Sequence, residues 1–287
     1  MTRAVSAAVA CACASPLAFA AGVDAQQATF RSRAEAVRVD VAVTQRGRPV
    51  PGLTAADFEI FDNGVRQEVE LVATEELPLD LVLALDVSGS IVGERFMHLR
   101  GASAAALSNL RRGDKAALLT FTHRVALPVP LTADVTNLTA SLAESPEHGA
   151  TAMVDAAYAA LAHADAGAGR ALVIVLSDGI DTASWLTPES VIETARRLDV
   201  VLFGISTGAP RRTPLEDLAD ASGGDLIRLE STRDMSPALT ALLDAFRQRY
   251  LLSFVPQNVA RGGWHKLEVR AKRRGLSVKA RAGYFGS

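Results

Sequence analysis

Residues 79–90 read Leu79-Asp80-Leu81-Val82-Leu83-Ala84-Leu85-Asp86-Val87-Ser88-Gly89-Ser90. The first seven are almost continuously apolar, the pattern of a strand buried on both faces of a parallel sheet. An acid and two hydroxyls then follow at alternate positions as soon as the apolar run stops. Open parallel sheets bind ligands at the carboxyl ends of their strands, so a polar stretch in this position is a candidate site.

The same grammar repeats outward. Residues 116–121, 171–176 and 200–205 are further apolar runs, and 226–229 is a shorter one. Between them, Phe96, Leu99, Ser103, Leu107 and Leu110 recur at helical spacing, and 135–142, 152–164, 188–198, 214–221 and 236–250 also read as helices. Pro128 and Pro130 restrict 125–131 to an edge strand. Strand and helix in alternation predict an α/β domain with a doubly wound, mostly parallel, Rossmann-like sheet over residues 78–250.

The flanks follow a different period. Val37, Val39, Val41 and Val43 alternate with polar or small residues, as in a half-buried strand. Asp62-Asn63-Gly64 is a hairpin turn between strands at 58–61 and 65–72. Residues 251–255, 265–271 and 276–282 read as strands again. Neither flank is large enough to be stable alone, so 26–77 and 251–287 are expected to pack together as one small β domain. Residues 1–25 carry Arg3 and then a short Ala-rich apolar run with small residues at Ala18 and Ala20, the pattern of a signal peptide. That run is too short for a membrane span. The chain is therefore expected outside the cytoplasm, periplasmic or extracellular, with a possible envelope association. Both cysteines, Cys11 and Cys13, fall inside this leader. The rest of the chain then has no disulfide, thiolate ligand or cysteine nucleophile. A formal charge of −2 gives no reason to expect nucleic acid as a partner.

Three loops carry the chemistry: Asp86 to Ser90 after the first buried strand, Gly149-Ala150-Thr151 before a helix, and Ser177-Asp178-Gly179 after another buried strand. Asp86, Ser88, Ser90, Thr151 and Asp178 together offer two carboxylates and three hydroxyls. An all-oxygen set suits a hard divalent cation, Mg²⁺ first, with Mn²⁺ or Ca²⁺ also fitting, rather than zinc or copper. Such a set leaves the ion short of charge and with an open position, which a carboxylate from a partner protein would fill.

The order and spacing of Asp-x-Ser-x-Ser, Gly-Ala-Thr and Ser-Asp-Gly resemble the metal-ion-dependent adhesion site of von Willebrand factor type A (VWA) domains. The resemblance runs from about residue 79 to 250. It implies that Ser88, Ser90 and Thr151 bind the cation directly, and that Asp86 and Asp178 act directly or through water. It implies a non-catalytic adhesion or scaffold module. The flanks, including Gly52-Leu53-Thr54 with Asp57-Phe58, and Trp264 to Val269 with Gly283-Tyr284-Phe285, resemble bacterial VWFA-related proteins common in acidobacteria.

Competing readings exist for several residues. Ser90 and Thr151 each precede a helix, where a hydroxyl serves as an N-cap. Asp155 reads as a first-turn acid favoured by the helix dipole, Asp181 as a loop acid and His148 as a solvated loop residue. Gly204-Ile205-Ser206-Thr207-Gly208 has the Gly-x-Ser-x-Gly form of a hydrolase elbow, making a secreted serine hydrolase using Ser206 the alternative function, with Asp225 and His265 in compatible order. The helix that should follow such an elbow at once is delayed. A phosphatase built on Asp86 needs a second acid where Ser88 stands. The five histidines show no zinc-binding spacing. The basic stretch 261–281 reads as a solvated strand face and turn.

Overall fold

The computed structural model describes residues 36–72, 77–142, 149–178, 180–208 and 212–286. The leader at 1–25 lies outside the described residues. The N-terminal flank forms β1 (Val37–Gln45), β2 (Arg48–Pro49), β3 (Phe58–Asp62), β4 (Val65–Gln67) and β5 (Glu70–Val72). The chain then enters β6 (Leu79–Asp86), α1 (Glu94–Ser108), β7 (Lys115–Phe121), β8 (Val125–Thr132), α2 (Val135–Ser141) and α3 (Met153–Asp165). It continues through β9 (Arg170–Ser177), α4 (Pro188–Arg197), β10 (Val200–Thr207), α5 (Pro214–Ser222), β11 (Leu226–Leu229) and α6 (Met235–Arg247). It closes with β12 (Tyr250–Phe254), β13 (Gly263–Ala271), β14 (Ser277–Lys279) and β15 (Gly283–Gly286).

Six strands form the central sheet in the order β11-β10-β9-β6-β7-β8. Adjacent pairs are parallel except β7 with β8. The proline-bearing β8 is the antiparallel edge, and its register slips twice against β7. Residues along β6 alternate between the two faces. Leu79, Leu81, Leu83 and Leu85 meet α1, α2 and α6, while Val82 and Ala84 meet α3, α4 and α5. The inner face of α3 is mostly alanine, at 156, 157, 160 and 164, so its backbone lies close to the sheet.

The flanking strands form a sandwich around Val39, Val41, Phe58, Ile60, Leu252 and Phe254. One sheet runs β14-β1-β12-β5 with β2 beside β1, and the other runs β15-β13-β3-β4. Three details differ from the sequence expectations. The single strand expected at 65–72 is two strands in different sheets, because Gln67 turns inward to pair with Gln257. The last helix stops before Tyr250, whose hydroxyl bonds Val50 O at 2.6 Å and accepts Leu53 N, drawing it into β12. Gly283–Gly286 is an added strand beside β13. At the hairpin, Asn63 and Gly64 both take positive φ.

The sandwich attaches at the N-terminal ends of the parallel strands. Arg170, the first residue of β9, reaches Asp40 of β1 at 2.6 Å, and Arg249 lies 3.4 Å from the same carboxylate oxygen. Arg249 also donates to Gly223 O, and Arg281 donates to Leu198 O and Arg38 O. Arg281 is therefore a buried strut rather than part of a solvated face. Arg196 and Arg197 of α4 lie over the rings of Trp264 and Phe285.

Asp114 fastens the same end of the sheet, accepting Leu79 N and Arg111 N and pairing with Arg247 of α6 at 2.5 Å. Burial pushes its carboxyl up, but the Arg247 and backbone bonds outweigh that and hold it below the usual carboxylate range. A depressed folded pKa adds stability above the unfolded value of about 3.9, and that stability fades as pH falls through the folded value. Urea unfolding should therefore show a stability gap between wild type and Asp114→Asn that is constant near neutrality and narrows below about pH 4. Asp40→Ala strands two buried guanidinium groups and should cost about 3–5 kcal/mol in the same assay; a cost below about 1 kcal/mol would show that the contact contributes little.

Candidate metal centre

Asp86 ends β6 and is 0% exposed. One carboxylate oxygen accepts Ser88 N at 2.9 Å and the other accepts Ser177 Oγ at 2.8 Å. Ser88 is 1% exposed, and its Oγ lies 3.2 Å from Ser90 Oγ, which is exposed. Thr151 is 6% exposed and Asp178 is half-buried. The candidate ligands thus range from fully buried to exposed.

The loops are stitched into a circle. Gly89 N donates to Gly149 O at 3.4 Å, joining the first loop to the second. Thr182 N and Ala183 N donate to Thr151 O, and Thr151 N donates to Thr182 Oγ1, joining the second to the third. The Ser177 bond to Asp86 closes the third on the first. Gly149 needs to be glycine, since its φ is +148° and a side chain there would meet His123 Nδ1 at 2.8 Å.

Neither hydroxyl proposed as a cap acts as one. α1 starts beyond Gly93, and α3 is entered through Ala152 without a side-chain cap bond. The N-terminus of α3 is served from the third loop instead. Asp181 Oδ2 accepts Val154 N at 2.8 Å, and Ser184 Oγ accepts Val154 N and Asp155 N. Asp155 takes Trp185 N and Leu186 N in return. Ser90 and Thr151 therefore keep their hydroxyls free of helix-capping duty. Sequence reasoning missed Ser184 and His123, which lie outside the three motifs. Asp181, expected as a loop acid with a chance of supporting the ligands, serves the start of α3. His148 lies outside the described residues.

Burial pushes the Asp86 carboxyl above its usual range, against hydrogen bonds from Ser88 and Ser177, and the neighbouring Asp178 charge pushes it further up. A cation would relieve both the desolvation and the repulsion between the two acids. Among the described residues no group of three His, Cys, Asp or Glu forms a metal cluster. The two acids and three hydroxyls read from the sequence would suit a hard divalent ion that keeps some water.

The hydrolase alternative is not supported. Ser206 lies within β10 in register with Ser177, not on a strand-to-helix elbow. It is 0% exposed, and its Oγ has no hydrogen-bond partner among the described residues. His265 is buried in the sandwich, with Nδ1 2.8 Å from Asp62 Oδ1.

A family model described as the von Willebrand factor type A domain matches residues 80–241, more than half of the chain. No curated protein matches. Among solved structures, a von Willebrand factor type A protein from Catenulispora acidiphila is 15% identical and superposes with a TM-score of 0.55, covering 89% of this chain and 75% of that one. Proximal thread matrix protein 1 from the mussel byssus, with a zinc-occupied MIDAS motif, is 18% identical with a TM-score of 0.54. That match covers 64% of this chain and 49% of the mussel protein. The PilB minor pilin of Streptococcus sanguinis is 12% identical with a TM-score of 0.50, covering 60% of this chain and 62% of the pilin. At these identities the likeness is one of fold.

A buried hydroxyl without a partner is desolvated with no bond in return, so it costs stability. Ser206→Ala should leave the unfolding free energy unchanged or raise it by up to about 1–3 kcal/mol, measured by urea titration, and fluorophosphonate probes should label neither form.

Proposed function

Because the chain belongs to the von Willebrand factor type A domain family, we propose that it is an exported, non-catalytic module that docks a partner protein through a bound divalent cation. In this reading Ser88, Ser90 and Thr151 coordinate the ion, and Asp86 and Asp178 hold it directly or through water. A carboxylate of the partner completes the coordination sphere. The observation that carries the reading is the buried Asp86 carboxylate beside Asp178, with the paired Ser88 and Ser90 hydroxyls on its own loop and the Thr151 loop bonded to that loop through Gly89 and Gly149. Where an acid acts through water it is not bonded to the ion, so the ion keeps positive charge at an open position and an incoming carboxylate binds favourably.

Mg²⁺ is the cation that the oxygen donors favour. The zinc held by the mussel protein's motif is a reason to test zinc beside it. Export is read from residues 1–25, and no helix among the described residues is long and apolar enough to cross a membrane. The streptococcal neighbour is itself a pilin, consistent with a role in the cell envelope.

The experiment is thermal unfolding with Mg²⁺, Mn²⁺, Ca²⁺, Zn²⁺ or chelator. An ion at a hundred times its Kd adds about 2.7 kcal/mol, equivalent to a rise of about 5–10 °C for a domain of this size. The rise should vanish in Asp86→Ala and shrink in Thr151→Ala. A wild type that melts identically with each ion and with chelator would rule out a resident cation.

A further inference from the structure

The third loop does more than close the metal circle. Every backbone N–H from Thr182 to Leu186 has an acceptor within the α3 entrance or the loop itself. Thr182 and Ala183 donate to Thr151 O, Ser184 to Asp181, and Trp185 and Leu186 to Asp155. On this pinned backbone the Trp185 side chain is 92% exposed. Ile180, two residues from Asp178, is 51% exposed, and Val92, two residues from Ser90, is 44% exposed. Two of the three loops that carry the candidate ligands thus also carry solvent-exposed apolar side chains. The chain's other tryptophan contrasts with this one: Trp264 is 38% exposed and lies under Arg196 at 5.3 Å.

An indole in water forgoes the burial of a large apolar surface, and tryptophan is the residue type most enriched among interface hot spots. A backbone ordered before binding loses little further entropy when a partner arrives. Thr182 N donates to Thr151 O at 2.9 Å, and Trp185 follows Thr182 by three residues, at most about 10 Å of extended chain. An extended chain rises about 3.3 Å per residue, so a peptide whose acid sits at the cation reaches the indole with a residue one to three positions away.

We infer that Trp185, supported by Ile180, forms an apolar subsite beside the metal centre, and that the partner is a protein segment pairing an acidic residue with a bulky apolar one within three positions. The inference rests on the metal-docking reading above.

The test uses a phage-displayed library of random heptapeptides, panned on the purified protein in Mg²⁺ and eluted with EDTA. Eluted clones should share an Asp or Glu with Phe, Trp, Leu or Met one to three positions away. Peptides made from them should bind Trp185→Ala at least about tenfold more weakly, bind Trp185→Phe nearly as well as wild type, and not bind Asp86→Ala. Equal melting temperatures for wild type and Trp185→Ala exclude a folding defect. Undiminished binding to Trp185→Ala, or acidic clones without an apolar neighbour, would overturn the subsite while leaving the metal reading intact. Clones insensitive to both EDTA and Asp86→Ala, or no EDTA-eluted clones at all, would overturn the metal reading and the subsite with it.

Discussion

Parallel strands all point one way, so a parallel sheet gathers the carboxyl ends of its strands along a single edge. The candidate site depends on that constraint. β6 and β9 are adjacent, and Asp86 and Ser177 end them side by side. The loop that enters α3 is drawn to the same edge by Gly89 and Thr182. Segments remote in sequence supply one cluster of oxygens without any of them having to leave its own local geometry. Desolvation of Asp86 is the cost of this arrangement, and it concentrates charge where a cation would be held.

The opposite edge does different work. There the starts of β6 and β9 are fastened by Asp114 and Arg170, and Asp40 of the sandwich receives two buried arginines. These contacts lie about 25 Å from the oxygens, the length of an eight-residue strand. Structural ion pairs and candidate binding chemistry are thereby separated, and substitutions at one edge should leave the local geometry of the other unchanged.

Much of this could be read from the chain. Unbroken apolar runs such as 171–176 mark strands buried on both faces, and Pro128 with Pro130 marks the edge, because these signals arise from burial and from the missing proline N–H. The three polar loops are visible because each abuts an apolar strand or a helix start. What escaped has a common cause: it depends on tertiary partners. Ser184 and Asp181 serve a helix nearly thirty residues earlier in the chain, which no local pattern announces. The break between β4 and β5 is set by Gln67 meeting Gln257. Ser206 sits in a motif that resembles an elbow, yet its strand continues through it and buries the side chain.

The sandwich joins residues far apart along the chain: Val50 and Tyr250, bonded through the tyrosine hydroxyl, are 200 positions apart. β1 cannot find its neighbour β12 until the whole α/β domain between them has been made. Closing so long a loop is slow unless the intervening chain has already become compact. Folding the α/β domain first would act as the clasp that brings the two ends within reach. Until then β1, with its row of valines, has only the two-residue β2 beside it and offers most of its edge to other chains, a hazard for aggregation during biogenesis.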